Sequence, residues 1–249
     1  MAHSHVRAKR RPPRIAAAPI PHGNLLLAAL PDAERRRLTA LCVPIELSFG
    51  DVLCEQGARI RHVYFPSGGG FISLISALDE RPKLEVGLVG SEGMLGVSLL
   101  LDVNVAPLRA LVQGAGPALR MEATQFSREL NHSPALRREL NAYLYVLMSQ
   151  LAQMAACTRF HLVEARLARW LLMTRDRAHS DRFYLTQEFI AYMLAVRRVG
   201  ISRAARTLQK RKLIRYTRGH MTVLDGPGLE AMSCGCYAVA RDLYDRHMS

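Results

Sequence analysis

Nine cationic side chains fall between Leu185 and Leu224: Arg197, Arg198, Arg203, Arg206, Lys210, Arg211, Lys212, Arg215 and Arg218, against one acid, Glu188. Cations at that density suit a polyanion, and a guanidinium offers two donors that match guanine O6 and N7 in a DNA major groove. The same stretch supplies a platform for them. Phe189, Ile190, Met193 and Leu194 share one helical face, with Thr186 at the N-cap position. Ala195-Val196 reads as a turn. A second helix, about Arg197 to Lys210, buries Ile201, Ala204, Ala205 and Leu208 and shows Arg198, Ser202, Arg203 and Arg206 on its free face. Small residues at buried positions let two helices cross closely. Ile214–Thr217 and Met221–Leu224 then alternate as two strands around an Arg218-Gly219-His220 turn. This is the plan of a winged helix-turn-helix. It assigns base edges to Arg198 and Arg203, and a phosphate or base to Ser202. Phosphates fall to Arg206, Lys210, Lys212, Arg215, Arg218 and His220.

The stretch LTQEFIAYMLAVRRVGISRAARTLQKRKLIRY also resembles the DNA-binding segment of the Crp/Fnr family of bacterial transcription regulators. The family's recognition helix carries an Arg, then a Glu, then a second Arg one turn on. Arg198 and Arg203 fall on the two Arg positions. Val199 takes the Glu position, so the base a Glu would read is specified differently or not at all. The family's turn Gly is Ala195, which leaves little ground for expecting positive φ there. The resemblance runs from about Leu25 to Tyr237 and implies a homodimer on double-stranded DNA, with RNA polymerase as a candidate partner.

The elements that must carry this segment are legible upstream. The chain of 249 residues has 49% apolar residues and a net charge of +13, enough for real cores and an excess suited to nucleic acid. Residues 1–22 read as a disordered basic arm. Asn24–Leu30 and Ala33–Ala40 look helical, with Asp32 as the N-cap after Pro31. From Val43 to about Met121, turn signals separate short apolar runs every eight to twelve residues, as in an antiparallel barrel or jelly roll. The run from Phe49 to Gly57 (F-G-D-x-L-x-x-x-G) and the VYFPSGG turn resemble the family's cyclic-nucleotide-binding-type β-roll. The fold expected is thus α+β. It has a β-roll sensor domain over 23–133, a dimerisation helix over 134–160 and a winged helix-turn-helix domain over 161–249. Leu140, Leu144, Leu147, Leu151 and Met154 alternate by four and three, the spacing of a two-helix dimer seam. A helix buried on its own β-roll needs a wider stripe, part of which Leu136, Tyr143 and Met148 could supply. Phe160-His161 marks a bend, Val163–Thr174 the next helix, and Arg175–Arg182 a polar connector.

In the family's cyclic-nucleotide members, a Gly-Glu pair and an Arg-Ser/Thr pair hold ribose and phosphate. Alignment of the strands puts Arg109-Ala110 on the second pair, without its hydroxyl. The first falls near Gly96-Val97 or Ser98-Leu99, without its carboxylate. Two charge-assisted contacts of roughly 1–3 kcal/mol each are lost. Cyclic AMP and cyclic GMP are therefore not expected to bind, and Arg109 and Gly96 remain as candidate residues for an unknown small-molecule effector.

Other chemistry is sparse. No G-x-S-x-G, Walker-type loop or H-E-x-x-H occurs, and the β region offers only His62, too little for a cupin-like metal enzyme. The chain is not expected to be an enzyme or to carry a cofactor. Cys42, Cys54, Cys157, Cys234 and Cys236 are odd in number and irregular in spacing, as befits reduced cytoplasmic thiols. The Cys234-Gly235-Cys236 pair supplies two ligands, which do not complete a metal site. His161 and Glu164 form H-x-x-E at a helix start, ordinarily a capping or surface arrangement. Some relatives hold an iron–sulfur cluster on Cys residues near the N-terminus, but no Cys precedes Cys42. No apolar run is long enough to span a membrane. Two rival readings stand beside the regulator: a non-specific architectural DNA-binding protein, and a ligand sensor acting mainly through protein partners.

Overall fold

The computed structural model describes residues 23–76 and 83–248; the arm expected at 1–22 lies outside them. Helix α1 (Leu25–Ala28) is capped by Asn24, whose side chain accepts from the Leu27 N–H. Helix α2 (Asp32–Ala40) begins one residue earlier than expected. Asp32 is its first residue and pairs with Arg35, while Pro31 holds the cap position.

Seven strands follow: β1 (Val43–Leu47), β2 (Val52–Cys54), β3 (His62–Pro66), β4 (Phe71–Ser76), β5 (Leu84–Val89), β6 (Arg109–Gly114) and β7 (Gly116–Glu122). They form two antiparallel sheets, ordered β1-β7-β3 and β2-β6-β4-β5. The expected β-roll is therefore present. Its four-stranded sheet is buried on both faces, which is why FISLIS reads as a run and not as an alternation. Ile72, Leu74, Ala110 and Val112 point into the roll. Phe71, Ile75, Leu88 and Leu111 point outward and belong to a second core, shared with the C-terminal domain. Period two is kept, but each face has its own cover.

Helix α3 (Ala123–His132) leads to α4 (Pro134–Phe160), which Ser133 caps by accepting from the Leu136 N–H at 3.0 Å, with Pro134 in the first turn. The dimer seam expected along α4 is largely turned inward. Leu140, Leu147 and Met154 are buried in their own chain at 0%, 7% and 6% exposure, and Leu144 and Leu151 are half-buried against the roll. Leu136, Tyr143 and Val146 complete the wider stripe that such packing requires. The stripe left outside carries Tyr145, Met148, Ala152 and Ala155.

Helix α5 (Val163–Ala178) runs four residues beyond the expected end, absorbing half of the polar connector. Then come β8 (Arg182–Tyr184), α6 (Gln187–Met193), α7 (Arg198–Lys210), β9 (Ile214–Thr217), β10 (His220–Val223), α8 (Gly226–Met232) and α9 (Cys236–Met248), with a small sheet ordered β8-β10-β9. Neither α8 nor α9 is among the elements expected from the sequence; α9 packs back along α4.

Candidate nucleic-acid interface

Thr186 caps α6 as its position suggested: its Oγ1 accepts from the Phe189 N–H at 3.1 Å. Between α6 and α7 the chain reverses at Ala195, which adopts φ +49°, a left-handed conformation. The turn therefore needs positive φ even though no glycine supplies it, against the sequence expectation. A β-carbon there costs about 1–2 kcal/mol. Ile201, Ala204, Ala205 and Leu208 anchor α7 in the second core. At Ala204 and Ala205 small side chains seat α7 closely.

The opposite face of α7 is bare. Arg198, Arg203, Arg206 and Lys210 are exposed, as are Lys212, Arg215 and Arg218 beyond it, and none forms an ion pair with a described residue. Val199, at the family's Glu position, is 70% exposed beside Arg198. Arg198 and Arg218 border one groove with Thr186, Gln187 and Tyr216, so helix start and hairpin tip form a continuous cationic surface. Two expectations change in detail. The Ser202 hydroxyl lies 2.6 Å from Gln187 Oε1 and 3.1 Å from the Arg198 carbonyl, so its single proton is used inside the protein, tying α7 to α6. The hairpin loop is the two residues Arg218-Gly219, with φ of +50° and +87°, a type I′ turn. His220 is the first residue of β10, opposite Thr217, and its ring stands on Tyr184 at 5.2 Å. Arg197, counted among the cations of the sequence but given no contact there, is exposed at the N-cap of α7; Tyr184 carries no sequence signal beyond alternation within a three-residue strand.

The β-roll holds a cavity of about 360 Å³ between its inner face and α4, lined by Leu74, Val89, Met94, Leu108, Leu147 and Met148 among others. Gly96 lies on its wall with φ +100°, where a β-carbon would meet Val63 at 2.9 Å. Arg109 does not line it; its Nε stands 3.2 Å from Glu55 Oε2. Ser98 does, and its Oγ is buried without a hydrogen-bond partner among the described residues.

The β-roll and the C-terminal helices meet through a buried polar chain. Glu85 on β5 accepts from Trp170 Nε1 at 2.7 Å, and its other oxygen lies 2.7 Å from Ser73 Oγ. Ser73 also contacts Gln113 Oε1, and Gln113 donates to Thr174 Oγ1 at 3.3 Å. Ser73 has one proton. When it donates to Gln113, a protonated Glu85 completes the chain by donating to Ser73. Burial pushes the Glu85 carboxyl up to about 7, against the opposing pull of Ser73, Trp170, Arg169 and Arg177.

The Cys234/Cys236 pair is not isolated either. Cys157 and His161, at the end of α4, bring their side chains to it, while Glu164 on α5 is not part of the group. The four are separated by 73 residues of chain at the largest gap, from His161 to Cys234, which hid the group from sequence reading. Its available signal was the C-x-x-x-H spacing, one helical turn, together with C-x-C.

A bare cationic helix in a winged helix-turn-helix, carried by a β-roll and a long helix, offers a surface whose shape and charge suit duplex DNA. Residues 165–232 match the family model of the Crp-like helix-turn-helix domain. FixK2 from Bradyrhizobium japonicum has the same fold, with 12% identity, a TM-score of 0.64, and coverage of 78% of this chain and 98% of that one. The c-di-GMP-responsive global regulator CLP of Xanthomonas campestris is similar at 14% identity and TM-score 0.63, over 77% and 98% of the two chains. TTHA1359, a Crp/Fnr family regulator of Thermus thermophilus, is similar at 18% identity and TM-score 0.62, over 77% and 98%. No curated protein sequence matches the chain. Residues 165–232 are thus similar to the Crp-like helix-turn-helix domain, and the chain shares its fold with these solved regulators. None of the helices among the described residues is long and apolar enough to cross a membrane.

Proposed function

We propose that this chain is a cytoplasmic, sequence-specific transcription regulator that binds double-stranded DNA as a homodimer. The unpaired cations of α7 and the hairpin carry the reading. Arg198 and Arg203 read base edges, and Arg206, Lys210, Lys212, Arg215, Arg218 and His220 hold phosphates and set the register. The dimer forms through the outer stripe of α4, where Tyr145 and Met148 are 53% and 60% exposed and Ala152 and Ala155 allow a second helix to approach. A second copy of the chain is its occupant, because a winged helix-turn-helix gains tight binding from two half-sites. Selection of bound sequences from a random DNA pool tests the reading. A palindromic consensus is expected; recovery of unrelated sequences would favour an architectural role.

The β-roll cavity takes an effector that is not a cyclic nucleotide. Its lining is apolar, the cation that would meet a phosphate is turned to Glu55, and Ser98 offers one hydrogen-bonding hydroxyl. A mainly apolar molecule with one polar group fits that chemistry.

A further inference from the structure

At the corner where α4 ends and α9 begins, four side chains from two stretches of sequence converge. Cys157 Sγ lies 3.6 Å from Cys234 Sγ, and Cys236 Sγ lies 3.6 Å from His161 Nδ1. All four ligand atoms fall within 4.8 Å of one another. Around one tetrahedral ion with metal–sulfur bonds of about 2.3 Å and a metal–nitrogen bond of about 2.0 Å, neighbouring ligand atoms stand roughly 3.5–3.8 Å apart. Two of the observed separations already have that length. An iron–sulfide cluster would spread its thiolates further than a single ion does. The three cysteines are free and buried, and His161 closes the site on the solvent side.

A second observation points the same way. Arg166 and Arg169, on the next helix, are 5% and 4% exposed. Neither forms an ion pair with a described residue, and the Nε of each lacks a hydrogen-bond partner there. Arg166 donates to the Leu194 carbonyl at 2.7 Å, and Arg169 donates to the sulfurs of Met173 and Met154. Glu85 acts on Arg169 only through space. Both guanidiniums lie close enough to act electrostatically on Cys157 and Cys234. Buried cations need a counter-charge. Three thiolates around a dication carry one net negative charge, which these guanidiniums would face.

We propose that Cys157, His161, Cys234 and Cys236 bind a single divalent ion of the zinc class, which clamps the end of α4 to the α8–α9 corner. Thiolate and imidazole donors without a carboxylate favour zinc over harder cations. The clamp sits at the bend between the long helix and the DNA-binding domain, so metal loading would fix the approach of α7 to DNA.

The test uses the full chain, purified and stripped of metal under reducing conditions, then titrated with cobalt(II). Binding of about one ion per chain is expected, with thiolate-to-cobalt charge-transfer absorption and displacement by zinc. Binding should also release the thiol protons. Exchanging Cys157→Ser or Cys234→Ser should weaken binding by more than the roughly 10–100-fold typical of losing an outer-shell partner. His161→Cys alters an exposed position and should keep the stoichiometry while intensifying the charge-transfer band, so the test survives if a serine variant misfolds. Cys42→Ser and Cys54→Ser should change nothing. Substoichiometric cobalt binding to the folded parent chain would overturn the proposal. So would unchanged affinity in the folded serine variants, or a Cys157–Cys234 disulfide persisting under the same reducing conditions.

Discussion

The arginines of the recognition helix and the arginine of the β-roll have opposite surroundings. Arg198 and Arg203 stand exposed, with no acid beside them. Arg109, which the sequence resemblance aligns with the family's phosphate-holding arginine, is tied to Glu55, and the nearby cavity is lined mostly by hydrocarbon. One region keeps cations free for an anion; the other has neutralised its cation and kept only the enclosure. A β-roll frames a cavity whatever its lining, so shared fold carries over the place of a site and not its ligand.

The contrast is tested most directly at α4, which serves both regions. Met148→Glu should leave the fold intact, yield monomers in sedimentation, and reduce affinity for the selected site by about 10²–10⁴-fold, the gain that linkage of two half-sites provides. Leu147→Glu, one residue away, should instead lower the melting temperature, because Leu147 lies in the chain's own core. A Met148→Glu protein that remains dimeric would move the interface elsewhere. On DNA itself, Arg198→Ala and Arg203→Ala should each cost roughly 1–3 kcal/mol on the preferred site and much less on random DNA. Arg109→Ala should leave both affinities alone. Equal losses on both DNAs would reduce Arg198 and Arg203 to phosphate contacts.

Smaller effects are expected elsewhere. Calorimetric titration with cyclic AMP and cyclic GMP should show no micromolar binding coupled to DNA affinity; such binding would restore an anion site to the roll. Ala195→Gly should raise stability by about 0.5–1 kcal/mol in denaturant unfolding, since relief of the left-handed strain outweighs the added freedom of the unfolded chain. Glu85 has a raised pKa in the folded state. Its contribution to stability is therefore complete below the ordinary carboxylate range near 4.5 and is lost as pH rises through about 7. Glu85→Gln should flatten that dependence in unfolding curves measured across the same window.

The helix-turn-helix was readable because its signals are local: a cap at Thr186, a buried face at Ile201, Ala204 and Leu208, and cations on the other side. The β-roll showed itself through turn spacing. What escaped depended on partners distant in sequence. The α4 heptads look alike whether they meet a second helix or a sheet, and only burial shows that Leu140 and Leu147 face the roll. Ala195 gave no hint of positive φ, because the turn geometry and not the residue imposes it. The Cys157–His161 turn and the C-x-C pair each fall short of a ligand set, and α9 had to be placed before they could be added together.

Glu92 bears on how the molecule comes apart. Its carboxylate meets Arg177 at 2.6 Å, its carbonyl accepts from the Tyr244 hydroxyl 152 residues away, and the neighbouring Ser91 carbonyl accepts from the Leu25 N–H. Three distant stretches of chain therefore converge on one loop. Contacts of such long sequence separation form late and slowly. Once made, they leave neither the roll nor the C-terminal helices free to melt alone. A single cooperative transition in scanning calorimetry is expected, where two loosely joined domains would show two.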